Sequence, residues 1–410
     1  MREKVSKIVN GKRVIIKKPE LLAPAGNLEK LKLAILYGAD AVFIGGEEFS
    51  LRANAENLSI SEIEEACKFA HSHNAKVYVT VNIIAHNTDY PGLPEYLKSL
   101  SKAGVDAIIV SEPMVIETAK KYAPDLELHL STQQSTINYE AINFWEEVGI
   151  KRIILARETN KEELKEILAK TNIDIEVFIH GAMCIAYSGR CTLSNHMTAR
   201  DSNRGGCVQS CRWDYILEGN GHFKEPFRMS PKDLTMLKHI PELIEMGISS
   251  LKIEGRMRSV HYIGTVVSVY RKLIDDYAKN PDNFKLSPKY LEELNKAANR
   301  EIAPQYFEGI PDHSAQLFTG RDETPTKEFV GIVLDYDEKN GIATVEQRNY
   351  FTKEDTLEAF GPKIENFYFN IDEILDEEGK VIDAARHPRQ IIKIKIPKKV
   401  NKNDMIRKRY

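Results

Sequence analysis

The sequence predicts an α/β chain whose larger part is a TIM-type (β/α)8 barrel, interrupted by a long cysteine-bearing insertion between strands seven and eight and followed by a small C-terminal β-barrel. Three observations predict it. Eight short apolar, β-branched runs alternate with segments of helical periodicity. The phrases GADAV, GVDAI and GIKRI recur where a helical pattern gives way to a strand, the αβ turn that such barrels reuse. Near residue 328 the alternation stops and turn-separated strands take over. The composition allows this fold. A chain of 410 residues, 42% hydrophobic and 29% charged, with a formal net charge of -3, can bury a sizeable core; a generally basic, nucleic-acid-coating protein or a disordered one is excluded.

The basic N-terminus, MREKVSKIVNGKRVIIKKPELL, lacks the continuous apolar stretch of a signal peptide, and no run of 18 apolar residues appears, so a cytoplasmic chain without a membrane partner is expected. ELLAPAG (20–26) reads as the first strand. In the following NLEKLKLAILYG, Leu28, Leu31, Ala34, Ile35 and Gly38 keep the period of a helix packed on a sheet. AVFIGG (41–46), KVYVTVN (76–82), AIIVSE (107–112), LELHLST (126–132), RIILARE (152–158), IEVFIHG (175–181) and SSLKIEG (249–255) complete the eight. Their apolar runs suit strands buried on both faces of a parallel sheet. A doubly wound open sheet is the alternative, and the count of eight favours the barrel. Cys67, in SEIEEACKFAHSHN, shares helical spacing with Ile63, Ala66 and Ala70 and reads as a buried small hydrophobe.

Strands seven and eight are separated by more than 60 residues, about twice what a βα unit needs. This insertion, about 182–248, leaves the C-terminal end of a barrel strand, the face on which barrel enzymes keep their chemistry. After strand eight, SVHYIGTVVSVYRKLIDDYAKN and LSPKYLEELNKAAN read as closing helices, which bounds the barrel domain at 1–325 and leaves 326–410 for the second domain. There, EFVGIVLDYDEKNGIATVEQRNYF reads as a hairpin turning at Lys339, Asn340 and Gly341. The charge of this domain is divided: 353–383 carries ten acids against three bases, and 386–410 ten Lys or Arg against one acid. Lys398, Lys399 and Arg407 in the basic tail are candidates for gripping an RNA phosphate backbone; a solvated edge strand protected by lysines is the alternative.

Four of the five cysteines stand in the insertion, at Cys184, Cys191, Cys207 and Cys211, with the spacing C-x6-C-x15-C-x3-C. In a reducing compartment an odd cysteine count with four clustered is a poor disulfide framework and a better metal site. Four thiolates in one loop can close around a [4Fe-4S] cube or a tetrahedral zinc. The paired C-x2-C knuckles of zinc sites are missing, so the cluster is expected and zinc is the alternative. A nucleophilic Cys184 with His180 is a further reading, which leaves three cysteines unexplained. Arg190, Arg200, Arg204 and Arg212, against one nearby acid, Asp201, suit an anionic substrate. Other polar residues fall at strand ends on the same face: Asn82, Glu112, Gln133, Arg157, Glu158, His180, Glu254 and Arg256. Of these, His180, Arg157 and Glu254 are the catalytic candidates, while Asn82, Gln133 and Arg256, with Arg190 and Arg204, are the substrate-binding ones.

The stretches ELLAPAGNLEKLKLAILYGADAVFIGG, EVFIHGAMCIAYSGRCTLS, RMSPKDL and LKIEGRMRS resemble peptidase family U32, the collagenase-like peptidases, and the likeness runs nearly end to end. Members of that family that act on tRNA take part in 5-hydroxylation of the wobble uridine, by a route that depends on prephenate and on iron–sulfur assembly. Related ubiquinone-hydroxylation members hold a [4Fe-4S] cluster through four cysteines. The resemblance therefore implies that Cys184, Cys191 and Cys207 are cluster ligands, with Cys211 the remaining local candidate for the fourth. It also implies prephenate as a small carboxylate co-substrate, tRNA as partner and a paired homologous subunit. A wobble base would have to leave its stack to reach such a site. Two rival functions remain. One is a peptidase, as the family label says, although H-E-x-x-H and G-x-S-x-G are absent. The other is a non-catalytic, cluster-bearing scaffold that binds tRNA.

Overall fold

Eight parallel strands close into a ring in the computed structural model, which describes residues 5–9, 12–51, 56–219, 226–297, 300–318 and 325–409. They are β1 (Glu20–Pro24), β2 (Ala41–Gly45), β3 (Lys76–Val81), β4 (Ala107–Val110), β5 (Glu127–Leu130), β6 (Arg152–Ile154), β7 (Asp174–Gly181) and β8 (Ser250–Ile253). Each overlaps the run expected from the sequence. Strand β8 closes the ring by pairing with both neighbours, Leu251 opposite Leu21 of β1 and Val177 of β7, which excludes the open sheet. Helices α1 (Leu28–Leu36), α2 (Ile60–Ser72), α3 (Leu93–Lys102), α4 (Pro113–Tyr122), α5 (Tyr139–Val148) and α6 (Lys161–Lys170) connect the strands. The repeated phrases mark left-handed helix ends: Gly38, Gly104 and Gly149 take φ of +111°, +86° and +107°, where any Cβ would be strained. Helix α2 opens with a Ser59–Glu62 capping box and buries Cys67, whose thiol burial pushes up to about 12.

The strand ring is not wholly apolar. Arg152 donates to Glu20 at 2.6 Å and to Glu176 at 3.2 Å, Lys252 donates to Glu176 at 2.9 Å, and the Tyr78 hydroxyl donates to Glu20 at 2.7 Å. Burial alone would raise the Glu176 carboxyl; Lys252 and Arg152 beside it hold it below the usual range. Two acids thus offset two bases, which lets otherwise costly charges stay inside.

Beyond β7, a short strand Asp233–Thr235 runs antiparallel to it, with Thr235 opposite His180. Helices α7 (Leu193–Thr198) and α8 (Ile240–Glu245) lie in the insertion, and α9 (Val260–Lys279) and α10 (Lys289–Leu294) follow the barrel. The second domain is an antiparallel sheet built mainly from β9 (Lys327–Asp337), β10 (Ile342–Gln347), β11 (Thr356–Gly361), β12 (Ile364–Asn370), β13 (Ile391–Lys395) and β14 (Met405–Arg409). Its strands run β12-β11-β14-β9-β10-β13 and cover a core that includes Val330, Val345, Phe351 and Ile392.

The domains are docked. Ile332, Phe360 and Met405 join the barrel core, His261 of α9 stacks on Phe329 with ring centroids 5.6 Å apart, and the Tyr37 hydroxyl donates to Asn403 O at 2.9 Å. This overturns one expected RNA contact. Strand β14 lies between β11 and β9, and Arg407 within it is 0% exposed. Its guanidinium lies 4.0 Å from the Phe360 ring centroid, donates to Glu358 at 3.0 Å and pairs with Glu293 of α10. Arg407 therefore joins the two domains and is out of reach of a phosphate backbone. Lys398 and Lys399 are exposed, the first 5.3 Å from the Phe367 ring centroid and the second 3.0 Å from Glu338.

Candidate active site

A cavity of about 190 Å³ opens at the C-terminal ends of the barrel strands. One wall is made by strand-end residues, among them Asn82, Gln133, Arg157, Phe178, Lys252, Glu254 and Arg256. The insertion makes the other, and all four of its cysteines, Cys184, Cys191, Cys207 and Cys211, line it. The sequence spacing therefore converges in space on one cavity, at the end of the barrel where strand alternation delivers side chains to a common mouth.

Short hydroxyl and amide bonds hold this wall. Ser188 sits in the left-handed region at φ +48°, and Glu158 holds it there by accepting its backbone N–H at 2.7 Å and its hydroxyl as well. Asn203 Nδ2 donates to Cys191 O at 3.0 Å, and Ser194 Oγ accepts Val208 N at 3.2 Å, one residue past Cys207. Leu193 N donates to Cys191 Sγ at 3.3 Å. Burial pushes the Cys184 thiol up, the Ala186 amide and Arg157 oppose this, and Cys191 and Cys207 push it further up. Cys211 is likewise raised by burial, lowered by Arg212 and raised by the other three thiols. The four thus feel one another. All are free, and among the described residues no three His, Cys, Asp or Glu side chains converge tightly enough to hold a single metal ion.

On the strand side, the Arg157 guanidinium stacks on Phe178, 4.0 Å from the ring centroid, donates to Ala182 O at 3.1 Å and stands 4.0 Å from Glu254 Oε2. The Lys252 ammonium lies 4.3 Å from the Phe43 centroid. Sequence reasoning passed over Lys252 and Phe178; the signal was a lysine inside a strand that buries both faces. Arg256 lines the cavity, but Ser50 Oγ, Leu51 O and Thr80 Oγ1, each at 3.1 Å, and Asn57 Oδ1 at 2.7 Å engage its guanidinium. It therefore braces the wall more than it offers a substrate contact.

Three expected site residues stand elsewhere. His180 is not among the cavity-lining side chains. Its Nδ1 is 3.3 Å from the Tyr270 hydroxyl, and its ring faces Tyr262 and Tyr270 of α9. The cause is a register shift: Phe178 pairs with Lys252 but His180 with Ile253, so β7 holds an extra residue there. Such a bulge turns the following side chain to the opposite face. Arg204 is spent in a two-pronged pair with Asp89, at 2.6 and 2.9 Å, and Asp89 is held low, about 2, chiefly by that bond. Arg190 is exposed outside the cavity, where its charge opposes the rise that burial gives Glu112.

A family model described as Peptidase family U32 matches residues 26–317, and one described as Peptidase family U32 C-terminal domain matches 325–407. The tRNA hydroxylation protein P1 of Bacillus subtilis (strain 168) is 57% identical over 417 aligned positions, covering 100% of this chain and 99% of the relative. The tRNA hydroxylation protein P of Escherichia coli (strain K12) is 31% identical over 437 positions, covering 94% and 95%. The 23S rRNA 5-hydroxycytidine C2501 synthase of the same bacterium is 40% identical over 259 positions, covering 62% of this chain and 39% of that one.

Proposed function

The chain belongs to peptidase family U32, and on that premise we propose that it is a cytoplasmic RNA-modifying enzyme that hydroxylates the wobble uridine of tRNA, using a [4Fe-4S] cluster and prephenate as a small carboxylate co-substrate. Relatives named for tRNA hydroxylation and for hydroxycytidine synthesis support a role in RNA hydroxylation. One observation carries the reading to this chain: four free thiols line the same cavity as the polar strand ends.

The donor set fits the cluster. Cys184, Cys191, Cys207 and Cys211 would hold it, since four soft thiolates on one cavity are the donor set such a cube takes, one on each iron. When bound, the cluster supplies redox or substrate-activating chemistry at the cavity wall. The chain's own groups do the rest. Arg157, held flat by Phe178, offers a planar cation to a carboxylate. Glu254, facing Arg157, is placed to hold or move a proton. Phe43, Ile109 and Phe178 add apolar surface to the cavity lining. A wobble base reaches it only after leaving its stack.

The peptidase reading has less support, because among the described residues no histidine lines the cavity to activate a cysteine, and His180 faces α9. The test is to incubate anaerobically purified protein with prephenate, a reductant and unmodified tRNA, and to count hydroxyuridine by mass spectrometry. Product that Cys184→Ala and Cys211→Ala abolish is expected. A cluster-loaded protein that binds tRNA without making product would leave the scaffold in its place.

A further inference from the structure

Asn82 and Gln133 form a buried amide pair in the cavity wall, and the backbone sets its polarity. The Leu51 N–H can only donate, and it points to Asn82 Oδ1 at 3.4 Å. Asn82 must therefore turn its Nδ2 toward Gln133, whose Oε1 accepts it at 2.7 Å. The Ser131 hydroxyl donates to the same oxygen at 2.9 Å. Both lone pairs of that carbonyl are then in use. Gln133 Nε2 has no hydrogen-bond partner among the described residues, and the side chain lines the cavity.

We propose that Gln133 is the specificity-determining residue of the cavity, presenting a fixed N–H donor that requires a hydrogen-bond acceptor at the ligand position it faces and so takes the C4 carbonyl of uracil over the C4 amino group of cytosine. The inference rests on reading the cavity as a nucleobase pocket. A cytosine amino group would meet a donor where it needs an acceptor. Gln133 cannot turn round to oblige, because its Nε2 would then oppose Asn82 Nδ2, which Leu51 N–H holds in place. Leaving one buried donor unpaired against the wrong ligand costs about tenfold to a hundredfold in affinity.

Asn82→Asp gives the test its distinctive arm. A carboxylate at that position still accepts Leu51 N–H but offers Gln133 an acceptor, so the amide turns and shows its oxygen to the cavity. Full-length, anaerobically purified protein is titrated with uridine 5′-monophosphate and cytidine 5′-monophosphate, with binding read by saturation-transfer NMR and folding checked by thermal melting. The wild-type protein is expected to favour the uridine nucleotide by about tenfold, Asn82→Asp to reverse the preference, and Gln133→Met to lose it. Equal binding of the two nucleotides, no saturable binding of either, or an unchanged preference in a folded Asn82→Asp would overturn the assignment. A carboxylate offers the same acceptor chemistry. Succinate that displaces nucleotide from the wild-type protein but not from Gln133→Met would move the donor to the co-substrate and overturn it too. Hydroxyuridine formation without nucleotide preference would sink this inference alone, whereas preference without any hydroxylation would sink the enzymatic reading and leave Gln133 in its role.

Discussion

Lys252 Nζ stands 2.9 Å from Glu176 Oε1 inside the strand ring, with the two side chains 4% and 0% exposed, and Arg152 reaches the second carboxylate oxygen at 3.2 Å. Removing the carboxylate would leave Lys252 without this acceptor and Arg152 with Glu20 as its nearest remaining one. Glu176→Ala is therefore expected to cost about 3–5 kcal/mol, the range for breaking a buried pair from one side. The shift in denaturant midpoint at unchanged slope measures it; a loss under about 1 kcal/mol would mean that water replaces the carboxylate.

Iron and acid-labile sulfide in anaerobically purified protein decide the fate of the four thiols. About four of each per chain is expected, lost in Cys184→Ala, Cys191→Ala, Cys207→Ala and Cys211→Ala alike. Cys67→Ala should keep the full content, since that thiol is buried in α2 away from the cavity. One zinc per chain and no sulfide would reduce the quartet to a structural clamp.

Two substitutions in the basic tail should part company. Neutralising Lys398 and Lys399 together, both to Gln, is expected to weaken tRNA binding and flatten the log-log salt slope by up to about 1.8, since each phosphate contact contributes about 0.9 on duplex nucleic acid. Arg407→Met should instead lower stability, because it strips the fully buried Glu358 of one partner and cuts the tie to Glu293 of α10. Salt titrations of tRNA affinity and thermal melts on the same samples separate the two effects. An unchanged slope for the double variant would leave those lysines as solvated surface.

His261 gives the domain junction a pH signature. Burial, with Arg407 nearby and Glu358 opposing, lowers its imidazole from 6.5 to about 3. The unfolded chain takes up the proton first as pH falls through 6.5, so stability is lost below that value and the loss is complete near pH 3. The slope is up to about 1.4 kcal/mol per pH unit. Above pH 6.5 the group contributes no slope. His261→Phe, which keeps a ring stacked on Phe329, should remove this part of the acid sensitivity; parallel stability curves for both proteins between pH 4 and 6 would refute it.

Local periodicity carried much of the architecture. All eight barrel strands, the glycine turns at Gly38, Gly104 and Gly149, and the burial of Cys67 follow from which face of each element is apolar and from where φ must be positive. Those requirements act within a few residues, so a single chain states them. The gathering of four cysteines was legible for the same reason, since the whole quartet lies in one insertion.

Contacts between residues far apart in sequence decided the rest. The alternation of β7 would put His180 beside Phe178, and only the extra residue opposite β8 turns it toward α9. Arg204 reads as a free cation until Asp89, 115 residues earlier, takes its charge. Arg407 reads as part of a basic tail until the sheet order places β14 in the interior against Glu358 and Glu293. The donor that Gln133 presents depends on Asn82, 51 residues away, and through it on one backbone N–H. Residue type and period say which groups are polar or apolar. Only the packed fold says which polar groups have already found each other and which remain for a ligand, because hydrogen-bond and ion-pair partners are assigned by proximity in space.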